Sequence, residues 1–407
     1  MPSKKDIEIL RELCVKYMSY ASLPVQNETR ELWYSLNSLD MKRPMVLIDQ
    51  ICWNEIADES LICTVQEPYW RNVEYGLRKK IYQWENFNVD MVLPPYICLP
   101  LPVTQPGKYG LSYDIEYKGE KDAVKSQSYT DTLVTEEDIE RINPPEIILN
   151  QEEKDKIESE AAIIFDGICE YRWQGQIMHL GLWDFVSFAK NVTSCYIDIM
   201  DRPEFIHKIM ERLTDSVQTV INQYNSLNAF DTSATLCHCS HTFLRDFLNG
   251  TNGTTSENAW AFGMAQLFSS ASPDVTKEFE VPYMNRLFKN FGAVYYGCCE
   301  RLDDRLDILD MMPNIRKVSC SPWSERESFA QMLPKKYIMS AKPSPAFLSS
   351  DVMDEEAVRK DLRRTINCAK ENGIALEMIL KDISTVRNNP SRLCRWAQIA
   401  KEEVMSF

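Results

Sequence analysis

Hydrophobic and polar positions follow two different periods along the last third of the chain. Val358, Leu362, Ile366 and Ala369 recur at helical spacing, and Gly373 then marks the end of a helix. Short apolar runs with the length of buried strands occur on both sides of this segment. Four of them lie at 292–297, 315–321, 336–342 and 374–380. This alternation of strands and helices predicts βα units on a parallel sheet.

Four earlier apolar runs raise the number of predicted strands to eight. They lie at 44–53, 89–99, 171–181 and 233–240. Eight parallel strands with helices between them predict an α/β protein of the (β/α)8 class, the TIM barrel. In that fold the reactive side chains lie at the carboxyl ends of the strands and in the loops that follow. The chain is interpreted as one such domain over residues 1–407.

Three segments depart from the alternating pattern and are predicted to be additions to the barrel. Residues 1–43 open with polar positions and continue with an amphipathic pattern, which predicts a helical N-terminal extension. Residues 104–155 are polar and contain turn sequences, so they are predicted to be an insertion. Residues 241–271 include the Gly-, Asn- and Thr-rich run LNGTNGTTSEN, which indicates a long loop suited to act as a lid.

Helix starts are marked by three capping patterns. SERE at 324–327 has the form of a capping box, and Ser272 precedes Pro273 as an N-cap before a first-turn proline. Asp201 stands before the amphipathic run that continues to Leu213 and is predicted to cap that helix. These patterns support helices packed on the sheet.

Composition limits the partners of the protein. A formal net charge of −15 disfavours nucleic acid, which is bound through clustered Lys and Arg. No apolar run approaches the ~20 residues that a membrane-spanning helix needs. The 13 cysteines are odd in number and follow no secretory signal, so free thiols and a cytoplasmic location are expected. A small-molecule substrate remains as the partner, and the oligomeric state stays open.

The sequence YYGCCERLDD places two cysteines and a glutamate after a predicted strand. Cys298 and Glu300 point to the same side of an extended segment, where a thiolate and a carboxylate can hold zinc or a substrate group. The alternative is that Cys298 and Cys299 are small buried hydrophobic residues and that Glu300 caps a helix beginning near Leu302. Both interpretations stay open, and the first is considered because the ends of barrel strands are where reactive side chains lie.

The sequence CHCSH offers further metal ligands if 233–240 is the fourth strand. Cys237, Cys239 and His241 then share one face of the strand, and the last two end beside the fifth-strand group. One zinc ion can draw on both strands in this arrangement, whereas the alternative is simple packing. The predicted metal ligands are Cys298, Glu300, Cys239 and His241.

Other polar and aromatic side chains follow predicted strands. Lys381 and Asp382 form a pair able to bind substrate or complete a metal shell, or else an exposed ion pair or a helix cap. Asp382 therefore joins Cys298 and Glu300 as a predicted catalytic residue. Aromatic and basic side chains at strand ends can line a substrate pocket or pack along the rim. The predicted substrate-binding residues are Trp53, Tyr96, His179, Tyr296, Trp323 and Lys342.

A series of motifs at strand and helix ends carries a family resemblance. The segments DRPEFIHKIMERLT, SSASPDVTKEFEVPYMNRLF, YYGCCERLDDRLDIL, VSCSPW and AKPSPAFL occur in this order. The series resembles the uroporphyrinogen decarboxylase superfamily over roughly residues 40–400. The resemblance implies a single (β/α)8 barrel and one of two chemistries. One is cofactor-free decarboxylation of a porphyrinogen, and the other is zinc-dependent methyl transfer to or from a corrinoid protein.

The sequence departs from both branches of that superfamily. The decarboxylase pattern has an arginine-rich segment where this chain has LIDQICWNEI, and an aspartate where it has Ile97. The methyltransferase pattern has a His-x-Cys zinc pair that falls on Tyr296 and Cys298, so the cysteine is kept and the histidine is replaced. A further zinc-binding cysteine of that pattern falls near Asp382, which is a carboxylate here.

We therefore expect a methyltransferase that moves a methyl group between a small methylated or methoxylated substrate and a corrinoid protein. Zinc is expected to polarise the substrate or to hold a thiolate. The alternatives are a cofactor-free lyase acting on a carboxylated small molecule and a non-catalytic protein that binds a corrinoid or a metabolite. The chain has no Asp-x-His-x-x-Gly motif to ligate cobalt, so the corrinoid is expected to come with a partner protein.

Overall fold

Helices and strands alternate through most of the chain in a computed structural model, which describes residues 1–118, 126–233, 236–247 and 254–407. The helices are α1 Lys4–Ala21, α2 Pro24–Asn37, α3 Pro68–Asn86, α4 Glu136–Ile139, α5 Gln151–Ile164, α6 Leu182–Ala189, α7 Val192–Asp201, α8 Pro203–Ser226, α9 Pro273–Phe279, α10 Val281–Phe288, α11 Arg326–Met332, α12 Ala346–Ser349, α13 Glu355–Asn372 and α14 Ser391–Met405. The strands are β1 Met45–Ile48, β2 Tyr96–Pro100, β3 Asp114–Lys118, β4 Ser126–Thr130, β5 Glu170–Gln174, β6 Met178–Leu180, β7 Leu236–Cys237, β8 Ser240–His241, β9 Trp260–Gly263, β10 Ala293–Tyr296, β11 Ile315–Cys320, β12 Ile338–Ala341 and β13 Ala375–Leu380. No helix of these ranges is long and apolar enough to cross a membrane.

Seven parallel strands form the central sheet. Their order is β1-β13-β12-β11-β10-β9-β6, so β9 to β13 lie side by side in chain order, and β1 lies beside β13. Strand β2 pairs with β5 and lies outside this sheet. The predicted α/β class and parallel sheet are confirmed, whereas closure of an eight-stranded ring through β2 is not seen in the ranges above.

The outer edge of β1 is occupied by Asp90. The backbone N–H of Asp90 donates to the Val46 carbonyl at 2.8 Å, and the Asp90 carboxylate accepts from the Val46 N–H at 2.9 Å. Arg43 donates to this carboxylate through its two terminal nitrogens, Nη1 and Nη2, and Lys401 contacts it as well. An open strand edge invites pairing with another chain, and this buried carboxylate covers part of it.

In the place of the predicted fourth strand, the run at 233–240, the sheet has β9, which pairs with β6 and β10. Of that run, residues 236–240 belong to a tight hairpin made of the two-residue strands β7 and β8, and residues 234–235 lie outside the described ranges. His238 in the turn has φ of 56°, a left-handed conformation that ends an extended strand. The basis for placing Cys239 and His241 on one strand face is therefore wrong.

The predicted lid at 241–271 contains β9, whose four residues are all buried between β6 and β10. Residues 260–263 are therefore part of the sheet and not of a lid, while 248–253 lie outside the described ranges. The predicted strand at 171–181 is likewise two strands, β5 and β6. Gly175 lies between them, where an added Cβ would approach the Ala229 carbonyl oxygen to 2.5 Å.

The helix predictions differ in how well their ends are placed. Helix α13 is confirmed with Asp354 as N-cap and Gly373, at φ of 64°, as C-cap. Helix α9 follows Ser272 and begins with Pro273 as predicted. Asp201 is wrong as a cap because it is the last residue of α7. The capping box at 324–327 is also wrong, since α11 begins at Arg326 without a side-chain cap.

The additions to the sheet are ordered in part. The N-terminal segment forms α1 and α2, and α1 packs against α3 and α5 around Leu10, Cys14 and Tyr17. The segment 104–155 contains the hairpin β3–β4 and the short helix α4, and its last residues already belong to α5. Residues 119–125 of this segment lie outside the described ranges.

A buried polar network crosses the inner face of the sheet. Lys317 on β11 donates to Glu377 on β13 at 2.8 Å, and neither side chain is more than 1% exposed. Ser340 lies opposite Glu377 in the β12–β13 register and donates to it at 2.6 Å, while Ser240 donates to the other carboxylate oxygen at 2.7 Å. Although burial disfavours the charged carboxylate, Lys317 and its neighbour Lys342 outweigh it and lower the pKa of Glu377.

Lys317→Met is expected to lower the free energy of unfolding by about 3–5 kcal/mol, because it leaves the Glu377 carboxylate buried without its cation. Urea unfolding followed by circular dichroism measures this loss. Arg364→Met is the matched control, since Arg364 pairs with Glu327 at the exposed surface and is expected to cost less than about 1 kcal/mol. Equal losses in the two variants would contradict a structural role for the buried pair.

Candidate functional site

The loop after β10 brings a reactive side chain to the carboxyl edge of the sheet. Gly297 follows the strand with φ of 91°, and an added Cβ would lie 2.7 Å from Leu302 Cδ1. Glycine is required here for both conformation and space. The turn places Cys298 near the residues that follow β13, and the Cys298 carbonyl accepts a hydrogen bond from Ser319 of β11 at 2.7 Å.

Four side chains then meet in what we call the thiol cluster: Cys298, Cys299, Lys381 and Asp382. The Lys381 ammonium lies 3.3 Å from the Cys298 sulfur and 2.8 Å from Asp382 Oδ2. The two sulfurs are 3.6 Å apart, and Cys299 Sγ is 3.4 Å from Asp382 Oδ2. Lys381 is 2% exposed and Cys298 9%, whereas Asp382 is half exposed. A buried thiol–ammonium pair therefore lies beneath a partly open rim.

The electrostatics of the thiol cluster favour a thiolate on Cys298. Hydrogen bonding from the Cys299 thiol, followed by the charge of Lys381, lowers the pKa of Cys298 against the opposing effect of burial. Burial disfavours the Lys381 ammonium, but the Cys298 thiolate and Asp382 outweigh it and raise the pKa of Lys381. The pKa of Cys299 is raised because it is the donor to Cys298. Such a low-pKa, electropositive setting is typical of a nucleophilic cysteine.

Glu300 supports this loop from within. Its carboxylate is 2% exposed and accepts from the Cys298 N–H at 2.8 Å and from the Ala265 N–H at 3.4 Å. Burial raises the pKa of Glu300 in spite of these bonds. The alternative in which Glu300 caps a helix near Leu302 is wrong, because the next helical segment is a 3-10 turn at Leu306–Met311.

Two further carboxyl groups, those of Asp184 and Glu280, are close enough to Glu300 for its charge to raise their pKa values. Burial and the charge of Glu300 raise the pKa of Asp184, in the first turn of α6, to about 7. Glu280 is fully buried, and burial raises its pKa well above the ordinary value. Asp184 lies three residues after the predicted strand at 171–181, but neither it nor Glu280 was singled out from the sequence. Asp184 is a carboxyl group that can hold or release a proton at neutral pH.

Lys342 lies deeper, on the inner face of the sheet, with Cys239 as a neighbour. Its ammonium donates to Tyr295, to Ser340 at 2.7 Å and to the Cys239 sulfur at 3.3 Å. All four side chains are buried. The structure therefore pairs Cys239 with Lys342, not with Cys298 as the metal prediction requires. Tyr295 was overlooked, although the two-residue period of β10 could have shown that it faces opposite to Tyr296.

Three rings form a row beside the thiol cluster. His238 stacks on Phe262 with ring centroids 4.0 Å apart, and His179 stacks near Phe262 at 5.1 Å. Burial and the charges of Lys381 and Lys342 lower the pKa of His238 to about 2, so this ring is neutral at physiological pH. His179 was predicted as a substrate contact, and it reaches the same end of the sheet. His238 was not predicted because its strand was assigned wrongly.

The predicted zinc ligands do not converge. Nowhere in residues 1–118, 126–233, 236–247 and 254–407 do three or more Cys, His, Asp or Glu side chains form a group able to hold a metal ion. His241 accepts the Val92 N–H at 3.2 Å through Nε2 and lies 5.2 Å from the Trp33 ring, apart from Cys298. The Lys381 ammonium also takes the place of a cation beside the Cys298 sulfur. Zinc does not fit these residues.

Two predicted substrate-binding residues belong to the region around α3 and β2. Trp53 packs edge-on against Tyr82, and Lys79 lies 4.8 Å from its ring. Tyr96 is the first residue of β2 and not near its end, and its hydroxyl donates to the Ser233 carbonyl at 2.7 Å. The structure records no contact between either residue and the thiol cluster within the described ranges.

The other two predicted aromatic contacts have opposite exposures. Tyr296 is 2% exposed and packs edge-on against Phe288 of α10, so it belongs to the core between sheet and helices. Trp323 follows β11 and is 73% exposed. Only Trp323 remains available to a molecule that approaches the carboxyl edge of the sheet.

Comparisons with known proteins give little guidance to this site. No family model matches the sequence, and no curated protein matches it. A methyltransferase from Methanosarcina mazei is among the solved structures to which the chain is similar. The two share 11% identity over 92% of this chain and 97% of that chain, with a TM-score of 0.49. This similarity is too low to assign a family.

Asp184→Asn is expected to stabilise the protein at high pH only. The raised pKa of Asp184 means that its contribution to stability is present below the ordinary value of 3.8 and is lost as the pH rises through about 7. The free energy of unfolding of the variant should exceed that of the parent by up to about 4 kcal/mol at pH 8 and by less than about 1 kcal/mol at pH 4. Urea unfolding at both pH values measures this. A pH-independent gain in Asp184→Asn would contradict the raised pKa.

Proposed function

We propose that the protein is a methyltransferase in which the Cys298 thiolate takes a methyl group from a small methylated substrate. The observation that carries this proposal is the 3.3 Å contact between the Cys298 sulfur and the buried Lys381 ammonium. A thiolate is a strong nucleophile at neutral pH, and a neighbouring cation keeps it in that form. The resemblance to the uroporphyrinogen decarboxylase superfamily supports methyl transfer as the reaction, and the carboxyl edge of the sheet is the expected place for it.

The proposed step is a displacement at the methyl carbon. The Cys298 sulfur forms a bond to the carbon while the bond from carbon to the substrate heteroatom breaks, and the heteroatom leaves with the bonding electron pair. Negative charge moves from the sulfur to the leaving group during this step. The Lys381 ammonium keeps its contact with Asp382 but loses the negative charge of the sulfur when a thioether forms, and it can then stabilise the leaving group.

The neighbouring residues keep the nucleophile in place. The Glu300 carboxylate accepts a hydrogen bond from the Cys298 N–H. The Asp382 carboxylate forms an ion pair with the Lys381 ammonium at 2.8 Å. Cys299 donates to the thiolate and restrains its position. We therefore assign Cys298 and Lys381 to the reaction itself, whereas Glu300, Asp382 and Cys299 act as positioning residues. Zinc has no part in this proposal, because the donor set does not converge.

A corrinoid protein is the proposed partner that removes the methyl group. A corrinoid would supply a reduced, nucleophilic cobalt to accept the methyl group, and the Cys298 sulfur would leave with the bonding electron pair as a thiolate. None of the four histidines of this chain lies in an Asp-x-His-x-x-Gly motif, so the partner has to bring the corrinoid with it. The exposed Trp323 beside the carboxyl edge offers an aromatic contact to such a partner.

The test is to incubate the protein with a panel of small molecules that carry a methyl group on sulfur, nitrogen or oxygen. Peptide mass spectrometry is expected to find one added methyl group on Cys298. In Lys381→Met this methylation should be at least tenfold slower, because the thiolate fraction falls by roughly that factor for each unit by which the pKa rises. Cys63 and Cys394, which are partly exposed, serve as internal controls. Reduced free cobalamin should return Cys298 to its unmethylated form and permit repeated turnover.

Two results would contradict the proposal. One is methylation of Cys63 and Cys394 at the rate seen for Cys298, because this would indicate chemical alkylation without an enzyme site. The other is full transfer activity in Cys298→Ser with any donor that the parent protein uses, because the thiolate would then not be the nucleophile.

A further inference from the structure

Cys298 and Cys299 are neighbours in the chain and also bring their sulfurs together in space. The two sulfurs lie 3.6 Å apart, so an approach of about 1.5 Å brings them to the S–S bond length of ~2.05 Å. Adjacent side chains in a strand point to opposite faces, but these two residues come after β10, at the turn that begins with Gly297. The turn therefore holds two thiols at a spacing that one bond can bridge.

The groups around the two sulfurs suit a stepwise oxidation. Cys298 is the more reactive thiol, because the hydrogen bond from Cys299 and the charge of Lys381 lower its pKa. Asp382 Oδ2 lies 3.4 Å from the Cys299 sulfur and can take its proton, which the half-exposed carboxylate then passes to water. Cysteines that sense oxidants combine a low-pKa thiol with a second thiol that resolves the first product. Both parts are present in the thiol cluster.

We propose that Cys298 and Cys299 form a modification site at which a peroxide closes a vicinal disulfide. The Cys298 thiolate attacks one peroxide oxygen, the O–O bond breaks, and the other oxygen leaves with the electron pair and takes a proton from solvent. The sulfur is thereby oxidised to a sulfenic acid, and the peroxide is reduced. The Cys299 sulfur then gives its proton to Asp382 and attacks the Cys298 sulfur. The S–O bond breaks, and the leaving hydroxide takes up a proton to become water.

The ring that this disulfide closes makes the bond reversible. Adjacent Cα atoms are ~3.8 Å apart across a trans peptide, whereas disulfides usually join Cα atoms ~4.4–6.8 Å apart. A disulfide between chain neighbours is therefore strained, and strained disulfides are the labile ones that thiols reduce readily. Oxidation also removes the free sulfur of Cys298. As a switch on methyl transfer the site rests on the proposed function, whereas formation of the disulfide does not.

The test treats the full chain, freed of reductant, with an equimolar amount of hydrogen peroxide and then alkylates the remaining thiols. Trypsin releases residues 290–301, in which Cys298 and Cys299 are the only cysteines. Mass spectrometry is expected to find this peptide unalkylated and two hydrogen atoms lighter. The pair should oxidise at least about tenfold faster than the partly exposed Cys63 and Cys394, which serve as internal controls. Dithiothreitol should return both thiols.

Cys299→Ser separates the two steps of the oxidation. This variant should stop at the Cys298 sulfenic acid, which dimedone traps, because the resolving thiol is gone.

Methyl uptake by the parent protein should be lost after peroxide and restored by dithiothreitol. Failure of methyl uptake in untreated protein would count against the proposed function alone, since the disulfide is detected from peptide mass without a methyl donor. Three results would overturn the disulfide itself. They are free thiols on Cys298 and Cys299 while Cys63 and Cys394 react, oxidation of Cys298 past the sulfenic acid with Cys299 unchanged, and a disulfide to any other cysteine.

Discussion

The Lys381 side chain is only 2% exposed, and its buried charge limits which groups can lie around it. A buried charge is tolerated only when groups of opposite charge or hydrogen-bonding groups surround it. The partners available at this edge of the sheet are the Cys298 sulfur and the Asp382 carboxylate. The Cys298 sulfur, whose pKa is lowered, and the Asp382 carboxylate therefore offset part of the cost of burying the lysine. Stability of the loop and reactivity of the sulfur depend on the same contact.

Lysines recur on the inner side of the sheet, and each is compensated differently. Lys317 has a carboxylate, Glu377, which also accepts from Ser240 and Ser340. Lys342 has hydroxyl groups and the Cys239 sulfur. Of these three lysines, only Lys381 lies beside a thiol whose pKa is lowered. The contacts of Lys317 and Lys342 form a buried network deep in the sheet. Lys381 and Cys298 lie instead at the carboxyl edge, where we propose that the reaction takes place.

The regular parts of the fold were predictable because their patterns are strong. The apolar run of β13 and the helical period of α13, with its glycine cap, leave little alternative. Strand β9 was not predictable in the same way, since WAFG is only four residues long and gives no alternating pattern. The run at 233–240 was assigned as a strand, but the turn at His238 ends any extended segment there. This wrong assignment added Cys239 and His241 to the predicted zinc ligands.

The candidate site was predictable only one element at a time. Cys298 and Asp382 were found because each follows a strand, which is where reactive side chains lie in parallel α/β folds. Their connection through Lys381 depends on how loops from β10 and β13 approach each other across two intervening strands, and no sequence spacing encodes this. The pKa of Asp184 is raised to about 7 by burial and by the charge of Glu300. Neither cause can be read from the helical sequence around Asp184.

The most direct test of this account is a pH titration of the ultraviolet absorbance of the thiolate. The difference between the parent protein and Cys298→Ala isolates the ionisation of one sulfur. The account predicts a midpoint below the ordinary cysteine pKa of about 8.5 and a shift upward by at least about one unit in Lys381→Met. A midpoint at or above the ordinary value, or one that Lys381→Met leaves unchanged, would show that Lys381 does not hold Cys298 as a thiolate.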